Sequence, residues 1–196
     1  MGYNPRDKYF LQAKKEGYAA RSVYKLQEID EKFKIFKNGQ TILDLGAAPG
    51  SWSQFTSTRI GHSGRILGVD LSPMSVVLPN AVFIQADLRG LALKEIFEEH
   101  GFKPPFDIVM SDMAPKTTGI KMTDQARSME LCELALQIAV DFLKPQGIFI
   151  CKFFQSGAFG ALRGEIKKKF ERVEALKPDS TRSISKEIFL IGLKKK

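Results

Sequence analysis

The stretch Thr41-Ile-Leu-Asp-Leu-Gly-Ala-Ala-Pro-Gly-Ser-Trp-Ser-Gln54 limits what this chain can fold into more than any other segment. Thr41 to Leu45 is a short apolar run of the kind that forms a buried strand. It leads straight into Gly46-Ala-Ala-Pro-Gly50, after which Ser51-Trp52-Ser53-Gln54 can open a helix. A strand, a tight glycine turn and a helix N-terminus make the nucleotide-binding corner of a Rossmann-like sheet, where glycines let backbone N–H groups approach a ligand. The spacing is not the G-x-G-x-x-G whose turn makes room for a pyrophosphate. Gly46 and Gly50 bracket three residues including Pro49, which suits a ligand without phosphates, with S-adenosylmethionine as the candidate. An ordinary strand-to-helix turn would look the same in isolation, so the rest of the chain has to decide.

Around this corner, helical and strand patterns alternate. Asp7–Glu16 and Ser22–Phe33 read as two short helices, with Val23, Leu26, Ile29 and Phe33 at helical spacing in the second. Strands are expected at Thr41–Leu45, Arg65–Asp70, Val82–Ala86, Phe106–Asp112, Gly147–Phe153, Arg172–Leu176 and Glu187–Leu193. Helices fill the gaps, the longest over Asp124–Leu143 with a stop at Lys144-Pro-Gln-Gly147. This pattern predicts an α/β fold, a Rossmann-like, seven-stranded, mostly parallel sheet with helices on both faces. Only the last link, Lys177 to Ser183, lacks a helix in this reading. A parallel crossover needs a dozen or more residues, so the last strand is expected to be antiparallel. That arrangement is typical of S-adenosylmethionine-dependent methyltransferases. Residues 1–196 are expected to form one domain, with basic N-terminal helices over 1–37 and the Rossmann-like core over 38–196.

Charge and cysteine content narrow the setting. Net charge is +8, and residues 1–37 carry nine Lys/Arg against five Asp/Glu, residues 160–196 eleven against five. The middle carries ten against twelve, so basic ends flank a near-neutral core and point to a polyanion gripped by the termini. Lys167–Lys169 or Lys194–Lys196 alone would be plain solvated surface. No apolar run approaches the ~18 residues of a membrane span, and the N-terminus lacks a secretory apolar region. Cys132 and Cys151 have no metal-ligand spacing and are expected in the core; no metal is expected, and a reducing cytosol fits.

Ligands of open α/β sheets sit beyond the carboxyl ends of the strands. Three expected strands end in aspartate, at Asp70, Asp87 and Asp112. Asp70 stands where such folds place an acceptor for ribose hydroxyls. Asp87, on the next strand, can reach an adenine amino group, and Trp52 can line the adjacent pocket. Any one of these aspartates could be a helix cap or turn former. An NAD enzyme would use Gly46 and Asp70 but leave Asp87 and Asp112 without a role.

With Ser111-Asp-Met-Ala-Pro115 following the glycine turn and the strand-end aspartates, the chain resembles the FtsJ family of ribose 2′-O-methyltransferases over essentially its whole length. The resemblance is carried by Asp7-Lys-Tyr9, Ala20-Arg-Ser-Val-Tyr-Lys-Leu26, Asp44-Leu-Gly-Ala-Ala-Pro-Gly50, Ser111-Asp-Met-Ala-Pro115, Cys151-Lys-Phe-Phe154, Lys177-Pro-Asp-Ser-Thr-Arg182 and Ser185-Lys-Glu187. Ser51 departs from it, standing where glycine is frequent. The resemblance implies a catalytic Lys-Asp-Lys-Glu set at Lys25, Asp112, Lys152 and Glu187. It also implies cofactor contacts at Gly50, Trp52, Asp70, Asp87 and Asp112, with Gly46 at the turn.

Transfer of a methyl group from a sulfonium to a ribose hydroxyl is an in-line displacement that needs the hydroxyl proton removed. Lys152 lies inside the apolar run Phe149–Phe154, where a charge is costly without purpose, and is the expected general base. It can act only as a neutral amine, whereas a free lysine has a pKa of ≈ 10.4. Burial and a nearby cation such as Lys25 would favour that form; Asp112 and Glu187 would oppose it, and are expected to orient Lys152 and the substrate. RNA contacts are expected at Arg6, Lys8, Lys14, Lys15, Arg21 and Arg182, although Arg21 has Glu28 and Asp30 as alternative ion-pair partners. The resemblance implies an uridine of large-subunit (23S) rRNA as substrate and a monomeric enzyme. A tRNA ribose is the second substrate reading, and a non-catalytic RNA-binding assembly factor on the same fold the third.

Overall fold

The computed structural model describes residues 7–90, 92–182 and 185–196. Seven strands form one sheet: β1 (Thr41–Leu45), β2 (Arg65–Asp70), β3 (Ala81–Gln85), β4 (Phe106–Ser111), β5 (Leu143–Phe154), β6 (Phe170–Leu176) and β7 (Glu187–Lys195). Their order across the sheet is β3-β2-β1-β4-β5-β7-β6. β3, β2, β1, β4 and β5 pair in parallel, and β7 is antiparallel to both β5 and β6. The short final link therefore reverses one strand, as its length requires.

Strand alternation divides the core into two layers. Ile42, Ile66, Ile108, Ile150 and Phe189 face α2 (Val23–Phe33) and α3 (Ser51–Ile60), packing on Leu26, Ile29, Trp52 and Ile60. Leu43, Leu67, Val109, Phe149 and Leu190 face the other way, onto α4 (Leu93–Glu99), α5 (Lys121–Phe142) and α6 (Phe159–Lys169). A further helix, α1 (Lys8–Lys15), precedes these and is capped by the Asp7 carboxylate, which accepts from Phe10 N at 3.1 Å. Among the described residues no helix is long and apolar enough to cross a membrane. Cys132 and Cys151 are buried free thiols, and Cys132 Sγ donates to the Lys152 carbonyl at 2.9 Å.

Two connections differ from the sequence expectation. Residues 71–80, between β2 and β3, form no helix, yet the two strands are parallel. Pro73 and Pro79 disfavour a helix there, and the link packs on the glycine turn instead, with Ser75 N donating to the Pro49 carbonyl at 3.3 Å. The expected stop at Lys144–Gly147 is not a loop, because α5 runs directly into β5. Leu143 pairs with Phe106 and Ile148 with Ile108, so the extra β5 residues are absorbed as a bulge, with Gln146 at φ +63°.

Candidate active site

The chain leaves β1 at Leu45 and turns through Gly46, whose φ is +75° and whose N–H donates to the Val69 carbonyl at 2.9 Å. A Cβ on Gly46 would lie 2.7 Å from Met113 Cγ and 2.9 Å from Met113 N. Gly50, at φ +116°, precedes α3, and a Cβ there would lie 2.3 Å from Val76 Cγ2. Both positions thus demand glycine by conformation and by space. The turn lies between the segment after Asp112 and the link after Asp70. Asp70 fastens it: Oδ2 accepts from Ala48 N at 3.0 Å and Oδ1 from Ser72 N at 2.7 Å.

Extending the alternation by two residues past Ile42, Met110 and Ile150, and back by two from Phe189, brings four polar side chains to the α2 side of the sheet. They are Asp44, Asp112, Lys152 and Glu187, at the edge where β1, β4 and β5 end and β7 begins. Lys152 Nζ donates to Asp112 Oδ1 at 2.8 Å and to the Asp112 carbonyl at 2.5 Å. Lys25, one turn into α2, pairs with Glu187 Oε2 at 2.6 Å. Lys25 and Lys152 are only 8% and 7% exposed, so neither is a solvated surface cation. Burial would raise the pKa of Glu187, but Lys25 and then Lys152 outweigh it and hold the carboxyl below its usual range.

Asp44 was not assigned a role from the sequence. It is fully buried, Oδ2 accepts from Ser53 Oγ at 2.6 Å, and Oδ1 has no partner among the described residues. Burial first, then the negative charges of Asp112 and Asp70, push its pKa up to about 7, against the lowering effect of the Ser53 hydrogen bond. A buried acceptor without a partner, under the negative charge of Asp112 and Asp70, favours a positively charged ligand at this corner. S-adenosylmethionine, with its sulfonium and ammonium charges, fits this donor set and the glycine turn beside it. The signal in the sequence was an acid inside the apolar run Ile42-Leu-Asp-Leu45.

The raised pKa carries a stability consequence. Between the ordinary value of 3.8 and about 7 the folded chain holds a proton on Asp44 that the unfolded chain has released. Stability therefore falls as pH rises through that window and levels off above it. In the absence of cofactor, Asp44→Asn is expected to stabilise by about 2 kcal/mol at pH 5 and by at most about 4 kcal/mol at pH 8. Thermal melts of both proteins at the two pH values check this; a pH-independent difference would mean that Asp44 is not neutral in the folded chain at pH 5.

Other sequence candidates lie in different surroundings. Trp52 is 2% exposed, its ring 5.7 Å from that of Phe189 and its Nε1 donating to the Ser22 carbonyl at 3.0 Å. In this structure it packs in the core and joins α3 to the start of α2. Asp87 is held by Arg89, whose Nη2 lies 2.6 Å from Oδ2 and whose Nε lies 2.9 Å from Oδ1. That pair is exposed, and the guanidinium keeps the Asp87 carboxyl at about 2. Arg21 pairs with neither Glu28 nor Asp30. It meets the Asp7 carboxylate and the Ser180 carbonyl, and Arg182 Nε reaches the same Asp7 oxygen at 3.1 Å. Glu28 instead accepts from Asp179 N and Ser180 N, and Asp30 from Ile35 N, Phe36 N and Arg59. Arg21 and Arg182 thus fasten the N-terminal segment to the loop before β7. Lys8, Lys14 and Lys15 are exposed on α1, and Arg6 lies outside the described residues. No group of three His, Cys, Asp or Glu side chains among the described residues could hold a metal.

Comparison with known proteins agrees with this geometry. The FtsJ-like methyltransferase family profile matches residues 18–195. The chain is 71% identical, over all 196 residues and the full length of both proteins, to the ribosomal RNA large subunit methyltransferase E of Bdellovibrio bacteriovorus. It is 48% identical to the protein of that name from Syntrophobacter fumaroxidans, over 99% of this chain and 98% of the relative. A solved structure from Plasmodium falciparum, described as a candidate ribosomal RNA methyltransferase, superposes with a TM-score of 0.78 at 30% identity, covering 91% of this chain and 98% of the other. The glycine turn, the buried lysine–carboxylate pairs and these full-length likenesses together place the chain in the FtsJ-like methyltransferase family.

Proposed function

We propose that this chain uses S-adenosylmethionine to methylate the ribose 2′-hydroxyl of a uridine in large-subunit ribosomal RNA. The observation that carries the chemistry is Lys152, buried beside the glycine turn with two of its three possible donor positions directed at Asp112. The cofactor supplies a methyl group already activated on a sulfonium. Asp44 and Asp70 would stabilise its charge and its ribose, and Gly46 and Gly50 let Met113 and Val76 close on the turn that would hold it. Lys152 would take the 2′-hydroxyl proton as that oxygen becomes the nucleophile for the methyl group. Asp112 aims the Lys152 nitrogen, and the Lys25–Glu187 pair holds the ribose from the α2 side. Names of the full-length relatives support rRNA as the substrate. The enzyme acts as a monomer in the cytoplasm on the large subunit or its precursor.

Alkaline digestion tests the whole reading, because a 2′-O-methyl group removes the nucleophile for strand scission. RNA from cells lacking the protein should contain one new alkali-sensitive linkage in large-subunit rRNA. A map with no new cleavage there would overturn the substrate assignment.

RNA grip is expected to come from exposed cations, not from those locked in ion pairs. Each phosphate contact adds about 0.7 to the log–log salt slope for single-stranded nucleic acid. Neutralising Lys14 and Lys15 together should flatten the slope by up to ~1.4 and raise the Michaelis constant for RNA, leaving that for the cofactor unchanged. An unchanged slope would assign these lysines to solvated surface. Adding Arg21→Ala should also lower the melting temperature, since it releases the Asp7 and Ser180 contacts.

A further inference from the structure

Beside the lysine pairs, a cleft of about 200 Å³ opens between the first turn of α5, the end of β5 and the start of β7. Its walls include Lys121 and Gln125 from α5, Phe154 and Gln155, and Lys186 and Glu187. None of these except Glu187 has a part in the chemistry described above. The walls are joined at their base: Gln125 Nε2 donates to the Gln155 carbonyl at 3.0 Å, and Gln155 N to the Lys186 carbonyl at 2.9 Å. Asp124 also lines the cleft, but its carboxylate is committed to the loop after Asp112. It accepts from Thr118 N at 2.7 Å, Thr118 Oγ1 at 2.9 Å and Gly119 N at 3.2 Å. Lys121 and Lys186, by contrast, are exposed and make no ion pair among the described residues. The sequence neighbours of Lys121 are apolar and open to solvent, Ile120 at 64% and Met122 at 81% exposure.

The position of this cleft relative to Lys152 suggests its occupant. Phe154 stands two residues beyond Lys152 on β5, about 7 Å along the strand, and directly opposite Glu187 in the register. In a nucleotide the base hangs from the sugar carbon next to the one bearing the 2′-hydroxyl. A ribose presented to Lys152 can therefore send its base past Glu187 towards Phe154. Phe154 offers an aromatic surface, and aromatic side chains are stacking platforms for unpaired bases. The two ammonium groups offer only donors. Uracil presents carbonyl oxygens on its pairing edge, whereas cytosine carries an amino donor at the corresponding place.

We propose that this cleft receives the base of the methylated nucleotide, and that Lys121 and Lys186 select uracil over cytosine. The assignment rests on the ribose-methylating function proposed above and names the part of the substrate that the cleft reads. It requires the target base to leave its stack, which favours a nucleotide in a loop or at a bulge.

Large subunits reconstituted with rRNA carrying the mapped target as uridine, cytidine or an abasic ribose provide the test, with kcat/KM measured on the full chain. The wild type should prefer uridine to cytidine. The Lys121→Ala/Lys186→Ala double variant should lose about tenfold on uridine, little on cytidine and nothing further on the abasic RNA. Its affinity for S-adenosylmethionine, measured by calorimetry, should match the wild type and shows that the variant is folded. A uridine-to-cytidine ratio that survives in the double variant would overturn the base assignment alone, as would wild-type turnover on abasic RNA equal to that on uridine. Absence of ribose methylation on every RNA by the wild type would overturn the function reading and this assignment with it.

Discussion

Lys152→Ala is expected to lower turnover by at least ~10²-fold, the usual lower end for losing a general base, with cofactor and RNA affinities largely kept. The side chain reaches Asp112 through both its carboxylate and its carbonyl. The glycine turn and the Asp70 hydrogen bonds that shape the cofactor site do not depend on it. Lys152→Arg should fare no better, because a guanidinium keeps its proton at any working pH. It would still pair with Asp112, so the arginine variant separates charge from basicity. Appreciable turnover by the arginine variant would recast Lys152 as an electrostatic positioner.

Much of the sheet was legible because its strands are apolar runs closed by turn residues, and because parallel crossovers demand length. The reversed β7 followed from the latter rule alone. The link between β2 and β3 broke the same rule, since its ten residues make a parallel connection without a helix. Its path is set by packing on Gly50, through Met74 and Val76, which no local pattern in residues 71–80 encodes. The early start of β5 likewise depends on Leu143 finding Phe106 on another strand.

At the site, the family resemblance named Lys25, Asp112, Lys152 and Glu187 as one set, while the residue pattern alone singled out the strand-end Asp112 and the charged Lys152 inside an apolar run. Neither could say which lysine takes which carboxylate. Lys25 and Glu187 are 162 positions apart and meet only because β7 lies beside β5 under α2. The other candidates have local partners that no sequence pattern announces. Arg89, two residues after Asp87, competes with any ligand for that carboxylate, and the Ser22 carbonyl already satisfies the Trp52 indole. For the basic N-terminus, charge counting could not distinguish a cation bound to Asp7 from one free for a phosphate.

Asp70→Ala is expected to weaken S-adenosylmethionine binding by roughly ten- to a hundredfold, since hydrogen bonds to a charged group contribute about 1.5–3 kcal/mol. Two effects add here. The ribose loses its acceptor, and the Ala48 and Ser72 N–H groups lose theirs, so the turn that carries Gly50 is released as well. Asp70→Asn separates them, because its one carbonyl oxygen can satisfy one of the two backbone donors but brings no negative charge. It should therefore fall between the wild type and the alanine variant in affinity, and close to the wild type in melting temperature. Loss of ribose recognition alone would leave 5′-methylthioadenosine and S-adenosylmethionine weakened equally, as both carry the same ribose. Loosening of the turn, or loss of attraction to the cationic end, would penalise S-adenosylmethionine more. Calorimetry with the two ligands distinguishes these contributions, and unchanged affinity for both in a folded Asp70→Ala protein would remove Asp70 from the cofactor site.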